Sequence, residues 1–309
     1  MRPSGVAAPG CAAVIVTYHP DLPTVERLLG LLRDEVQSVF VVDNGSSEQV
    51  LERLDAAAVA AGAVVVRLGR NRGIAAAHNE GIALASRAGL DYVLLFDHDS
   101  LPEPGMAAGL LAAHETHNKE GQRVAGVGAM WVDQRSGRRG RFYRIRRGRI
   151  VGMDLADDAP AVEVDFLISS GSMLSLEAVR AIGAMREDFF IDHVDTEWCL
   201  RARRAGWLLY GVPAAQISHA LGDSTRRVWL GRWREVALHS PERNYYEVRN
   251  TFLLLRTPGI GANWTVALLM RVAQQLVFYG LGVAPQGRRI ARMARGMRDG
   301  LLGRGGPLS

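Results

Sequence analysis

The chain has 309 residues, 48% of them hydrophobic and 22% charged, which supplies a large core and excludes a disordered polymer. Its 37 basic and 32 acidic side chains leave a net charge of +5, carried almost wholly by arginine, since Lys119 is the only lysine. Arginine suits bidentate phosphate contacts, and coding bias accounts for the same excess. Two cysteines, Cys11 and Cys199, exclude a disulfide framework or a cysteine metal cage and point to a reducing cytoplasm. No opening segment joins a charged start to an apolar stretch and a cleavage site, so secretion is not expected.

The first hundred residues repeat one pattern, an apolar run, a turn and an amphipathic helical stretch. Ala12–Thr17 is the first strand candidate, and Val25–Leu32 carries apolar residues at helical spacing. Ser38–Val42 is the second run and ends in Asp43-Asn44-Gly45-Ser46. Ala63–Leu68 is the third, followed by Asn71-Arg72-Gly73 and an alanine-rich helix through Ala88. Tyr92–Phe96 is the fourth and ends in Asp97-His98-Asp99. Apolar strands alternating with helices predict an α/β fold whose mainly parallel sheet is covered on both faces. Right-handed crossovers then gather Thr17, Asp43, Asn71, Arg72, Asp97 and Asp99 at one sheet edge, where α/β folds bind ligands.

From about Val124 the rhythm changes. Arg135 to Arg149 reads as an exposed hairpin, and Asp195 to Ala205 as a helix that Gly206 ends. After Ser240 the chain reads as helical. Within it, Trp264–Gly282 is strongly apolar but carries Arg271, Gln274 and Gln275, which makes it a poor membrane span and a fair interfacial or core helix.

Two carboxylates at Asp97 and Asp99 point the same way from an extended chain, so both can face a divalent cation or its phosphate ligands. Placing two charges at the end of an apolar strand is costly without such a use. The turn after the first strand, Thr17-Tyr18-His19-Pro20, lacks G-x-G-x-x-G, and no G-x-x-x-x-G-K-[ST] occurs, which removes the main support for Rossmann dinucleotide binding and P-loop hydrolysis. His114-Glu115-Thr116-His117 departs from H-E-x-x-H, and no G-x-S-x-G elbow is present.

The segments VIVTYHPD, VVDNGS, NRGIAAAHNEGI, LLFDHDS, SSGSMLS, FFIDHVDTEWCLRARRAGW and HSPERNYYEVRN resemble, in order and spacing, family 2 glycosyltransferases of the GT-A fold, within them the bacterial rhamnosyltransferase branch. The resemblance covers roughly Ala12 to Arg256 and implies a GT-A domain over residues 1–239. Its nucleotide half would be about 11–100 and its acceptor half about 124–239, with a helical extension at 240–309. It implies a nucleotide pocket lined by Thr17 and Tyr18, with Asp43 hydrogen-bonding the base and Asn44, Asn71, Arg72, Gly73, Asn79 and His98 nearby. Asp97 and Asp99 occupy the family's D-x-D, and His219 stands where relatives complete the metal site with histidine. That set suits Mg²⁺ or Mn²⁺, the histidine favouring Mn²⁺ slightly. Asp195 falls on the family's catalytic base. Val194 stands where many relatives have Glu, which leaves Glu197 open as a support or a substitute.

The implied reaction is metal-dependent, inverting transfer of a sugar, with dTDP-L-rhamnose favoured as donor, to a saccharide or lipid-linked saccharide acceptor in polysaccharide or O-antigen-type synthesis. Ser170, Gly171 and Ser172 would read the sugar. Trp198, Tyr245 and Arg249 are open to two readings, acceptor pocket or core packing. Asp195 and Glu197 also suit a plain helix start, and Asp43 a plain Asx turn. Arg288, Arg289, Arg292, Arg295 and Arg298 recur at near-helical intervals, as expected of a peripheral contact with the inner membrane face, a homodimer contact or a solvated basic helix. Without an aromatic-interleaved basic face, nucleic acid is not an expected partner. The rivals are a sister transferase using a UDP-hexose or galactofuranose donor, a non-catalytic nucleotide-sugar-binding scaffold, and a nucleotidyltransferase.

Overall fold

A computed structural model describes residues 8–133, 137–219, 224–229 and 233–308. Strand β1 (Ala8–Thr17) leads through helix α1 (Leu22–Leu32) to β2 (Val36–Asp43), then α2 (Glu48–Ala61), β3 (Val64–Arg67), α3 (Ile74–Arg87) and β4 (Tyr92–Asp97). A two-residue β5 (Leu101–Pro102), α4 (Met106–Lys119) and β6 (Val124–Asp133) follow. Next come the hairpin β7 (Phe142–Arg146) and β8 (Arg149–Met153), β9 (Val162–Glu163), β10 (Ser172–Ser175) and α5 (Leu176–Ile182). Helix α6 (Val194–Arg204), β11 (Leu208–His219), β12 (Ser224–Trp229) and β13 (Trp233–Leu238) lead to α7 (Pro241–Leu255), α8 (Gly261–Gly282) and α9 (Gln286–Leu301).

The main sheet runs β3-β2-β1-β4-β10-β6-β11-β5, with β9 beside β11. Its first four strands are parallel, and β10 inserts antiparallel between β4 and β6. Register aligns Thr17 with Asp43, Asp43 with Arg67, and Val16 with Asp97, so the carboxyl ends of the parallel strands form one edge, as the alternating pattern predicts. Strands β1 and β4 are buried on both faces, which is why they read as unbroken apolar runs. One core layer lies on each side of the sheet, around Val14, Val42, Leu95 and Trp198 on one and Ile15, Leu28, Leu94 and Phe96 on the other.

Local chemistry sets the helix starts. Helix α1 begins at Leu22, three residues before its apolar repeat, because Asp21 caps it by accepting from Thr24 N–H at 3.2 Å. Ser240 caps α7 in the same way, followed by Pro241. The arginine-rich hairpin exists but lies further along than Arg135–Arg149: its strands start at Phe142 and its tip is Arg147-Gly148. Residues 134–136 lie outside the described residues. Nor is it free-standing. A Cβ on Gly148 would sit 2.7 Å from Val266 of α8, and Tyr143, Phe166 and Trp264 form a chain of ring contacts between hairpin and helix.

Helices α7 and α8 share the core of the sheet, while α9 packs on them through Met293 in a cluster of its own. Leu253, Leu254 and Leu268 join the layer that contains Val194 and Trp198. Gly296 and Gly300 let α9 press onto the backbone of α7, where a Cβ would lie 2.5 Å from the Tyr245 and Arg249 carbonyl oxygens. The five arginines of α9 do not form a bare basic face. Arg288 and Arg292 pair with Glu242, Arg295 and Arg298 pair with Asp299, and Arg289 donates to the His239 carbonyl and the Asn244 side chain.

Candidate active site

The turn after β2 is built by its own carboxylate. Asp43 is fully buried and accepts from Thr17 Oγ1 (2.9 Å), Gly45 N–H (2.9 Å), Ser46 N–H (2.8 Å) and Ser46 Oγ (2.6 Å). Those four donors fill the usual capacity of a carboxylate. Asp43 therefore organises the turn, and the direct bond to a base implied by the resemblance is not carried by this geometry. Thr17 is equally buried and spends its hydroxyl on Asp43, so of that pair only Tyr18, 44% exposed, can face a ligand.

Asn44 and Asn71 tie this turn to the next. Asn44 Nδ2 donates to Asn71 Oδ1 at 3.1 Å, Asn44 Oδ1 accepts from Arg72 N–H at 2.8 Å, and Asn71 Oδ1 accepts from Gly73 N–H at 3.0 Å. Gly73 has φ 89, and a Cβ there would lie 2.5 Å from the Phe190 carbonyl oxygen. Asn79 reaches the segment before α6, donating to Glu187 Oε1 at 3.1 Å, and Glu187 in turn pairs with Arg72 at 3.5 Å. Asn79 also brackets the Met185 backbone, donating to its carbonyl and accepting from its N–H, both at 2.9 Å.

The Asp97–Asp99 turn closes with Ser100 N–H donating to the Asp97 carbonyl at 3.2 Å. Ser170 joins it to the Ser169–Ser172 loop, accepting from Asp97 N–H at 3.1 Å and donating to Ser100 Oγ at 2.8 Å. Gly171 donates its N–H to the Leu95 carbonyl, and the Ser172 hydroxyl donates to the Ile168 carbonyl. The same loop holds Asp195, whose Oδ2 accepts from Ser169 N–H at 3.1 Å while Oδ1 accepts from Thr196 N–H at 2.6 Å. One loop therefore bridges the paired carboxylates and the candidate base. Asp195 is half-buried, and burial pushes its carboxyl up to about 6, with the nearby Asp192 charge adding to the rise and the N–H donors opposing it.

The Glycosyl transferase family 2 model matches residues 13–183 of this chain. The chain is also 31% identical, over 287 residues covering 92% of it, to the "dTDP-rhamnosyl transferase RfbF" of Shigella flexneri, 91% of which is spanned. The chain belongs to glycosyl transferase family 2. Its fold is shared with solved glycosyltransferases of the GT-A type at low sequence identity. S. aureus TarS in complex with UDP-GlcNAc matches with a TM-score of 0.59 and 14% identity, over 95% of this chain and 81% of that one. GalNAc-T7 with UDP, GalNAc and Mn²⁺ matches with a TM-score of 0.57 and 12% identity, over 91% of this chain but only 59% of that longer one.

Several residues considered for a family 2 site are elsewhere occupied. Glu197 is 1% exposed and pairs with Arg201 at 2.9 Å, one helical turn on, so it does not replace Asp195. Trp198 is 1% exposed and donates its indole N–H to the Gly183 carbonyl, which makes it core and not a sugar platform. Tyr245 is buried with its hydroxyl on Asp299, and Arg249 is fully buried and donates to backbone carbonyls, so neither lines an acceptor pocket. The partners of Arg249 lie sixty residues away in sequence, and only the three-dimensional fold reveals them.

The Asp97–Asp99 turn offers the oxygen ligands that a divalent cation takes. Pairing of Ser218 with Leu101 brings the end of β11 against that turn, as a third ligand at His219 would require. The His219 side chain itself lies outside the described residues. Among the described residues, no three His, Cys, Asp or Glu side chains form a metal cluster. Cys199 is not a candidate nucleophile, since burial pushes its thiol up to about 12.

Proposed function

We propose that this family 2 enzyme transfers L-rhamnose from dTDP-L-rhamnose, with inversion, to a saccharide or lipid-linked saccharide acceptor. The observation that carries the reading is the half-buried Asp195, held by Ser169 N–H in the loop that Ser170 fastens to the Asp97–Asp99 turn. The donor is supported by the name of the Shigella flexneri relative. Asp195 takes the acceptor hydroxyl proton as the new C–O bond forms, and the anomeric C–O bond to the diphosphate breaks on the opposite face. Such base assistance contributes ~10²–10⁴-fold. Asp97, Asp99 and His219 would hold Mn²⁺ or Mg²⁺, which neutralises charge on a departing diphosphate. Mn²⁺ in the GalNAc-T7 structure is consistent with that choice.

The enzyme works as a peripheral protein at an anionic membrane surface, with α8 and not α9 facing the lipid. Val266, Leu269, Met270, Val277 and Leu281 of α8 are 44–80% exposed and fall on one helical face. By length and composition alone this helix could cross a membrane, but its other side is packed through Ala267, Leu268, Val272 and Tyr279. The exposed Arg146, Arg147 and Arg149 at the hairpin tip lie beside Val266, placing cations next to the apolar face. Flotation with anionic vesicles at low salt should carry the full chain upward; a chain left at the bottom would exclude this surface contact.

The first test of the donor is thermal stabilisation by dTDP and by UDP, each with and without Mn²⁺. A ligand that binds the native state alone raises stability by RT ln(1 + [L]/Kd). A larger metal-dependent rise with dTDP is expected. A larger rise with UDP moves the donor, and no rise with either removes the transferase reading.

A further inference from the structure

The approach to helix α6 contains the densest run of left-handed backbone in the described residues. Phe190, Asp192 and His193 have φ of 64, 62 and 59, values that side-chain-bearing residues rarely adopt. Asp195 lies two residues beyond the last of them, so the shape of this turn sets where the carboxylate points.

Helix α7 grips the turn by its carbonyls. Asn250 Nδ2 donates to the carbonyls of Phe189 (2.8 Å), Ile191 (2.5 Å) and Asp192 (2.9 Å). Arg249 donates to the carbonyls of Asp188 (3.2 Å) and Phe189 (2.8 Å) and to that of Gly306, whose own N–H donates to Asp188 at 2.7 Å. Arg243 holds Asp192 Oδ1 through Nε and Nη2 at 3.2 and 3.1 Å. His193 Nε2 meets Thr251 Oγ1 at 3.1 Å. From the opposite side, Ile74 N–H donates to the Phe190 carbonyl at 2.7 Å, next to the Asn71-Arg72-Gly73 turn.

Arg249 and Asn250 are fully buried, and none of the bonds described for Arg243, Arg249 or Asn250 is to Asp195. Their bonds go to the turn, and the turn has no regular ladder of its own. We infer that Arg243, Arg249 and Asn250 are positioning residues for Asp195, holding residues 189–193 in the conformation that aims the base at the acceptor hydroxyl. The inference rests on Asp195 being the base. Released, the turn relaxes towards negative φ, the start of α6 shifts, and the 3.1 Å bond from Ser169 N–H to Asp195 is lost. A displacement of about 1 Å at a reacting group can cost on the order of 10²-fold in rate.

The test compares Asn250→Ala, Arg243→Gln and Arg243→Lys in the full chain, measuring kcat, the dTDP dissociation constant and the acidic limb of the pH–rate profile. Asn250→Ala and Arg243→Gln should lower kcat by roughly 10–100-fold and leave dTDP affinity within twofold; Asn250→Ala, which loosens the turn and removes no charge, should also move the acidic limb down towards the ordinary carboxylate range. Arg243→Lys, which keeps a cation for Asp192, should recover most of the rate. Arg243 is partly exposed, so its variants decide the matter if Asn250→Ala does not fold. Folded Arg243→Gln with kcat within twofold of the parent would overturn the inference. Asp195→Asn run alongside separates the two claims: full transfer by that variant removes the base assignment itself.

Discussion

The sheet edge and the C-terminal helices both bury polar groups, and they use them in opposite ways. At the edge, Thr17, Asp43, Ser46, Asn44 and Asn71 satisfy one another within turns or across a single strand-helix crossover and leave Tyr18 exposed. In the helices, Arg249, Asn250 and Arg289 are buried and donate largely to main-chain carbonyls far away in sequence. The first arrangement shapes a pocket; the second holds a distant segment in place. The proposed site therefore stands on two supports that meet where Gly73 and Ile74 touch Phe190, a strand-end frame on the side proposed for the donor and a helical grip beside the proposed base.

Substitutions should separate those supports. Asp195→Asn removes the proposed base and should lower transfer by ~10²–10⁴-fold while dTDP stabilisation persists, a split read by pairing initial rates with thermal shifts. Gly73→Ala strikes the seam between the supports, because Cβ would meet the Phe190 carbonyl at φ 89; a loss of about 2–4 kcal/mol in urea unfolding is expected. Thr17→Val tests the frame alone. It leaves the Asp43 carboxylate one donor short in a fully buried position, and about 1–3 kcal/mol should be lost with the acid limb of the rate profile unmoved.

Acidity tests the base without mutation. With the Asp195 carboxyl held up near 6, the transfer rate should fall about tenfold per pH unit below that value, since only the ionised form takes a proton. Stability runs the other way. The folded state holds this proton more tightly than the unfolded chain, so the contribution of Asp195 is full at low pH and is lost as pH rises through about 6. The smallest effect is expected at Leu281→Ser on α8, where the side chain is 80% exposed. Stability should stay within about 0.5 kcal/mol while vesicle flotation weakens.

The strand-end frame was legible in the sequence because its signals are local. Apolar runs ending in Asp43-Asn44-Gly45 and Asp97-His98-Asp99 carry both the strand and its turn, and right-handed crossovers place the ends together. Asp195 was legible only through the ordered motifs around it. The grip on residues 189–193 was not legible: Arg243, Arg249 and Asn250 lie in the segment HSPERNYYEVRN, but the carbonyls that they reach have no residue identity. The arginines of α9 were half legible: their spacing and Asp299, one helical turn from Arg295, are visible, whereas Glu242 becomes a partner only after α7 and α9 pack. Asp43 shows the converse. Its place at the edge was legible, but the four donors that occupy it were not.

The contact between Gly306 and Asp188 also bears on the order of synthesis. The four parallel strands end at Asp97, whereas the turn before Asp195 is held by α7 and by Gly306, more than a hundred positions beyond Asp188. Domains fold as units, and Leu253, Leu254 and Leu268 share the core with Val194, so this turn takes its shape only after the last helices have been made. The surroundings of Asp195 are set by the far end of the chain.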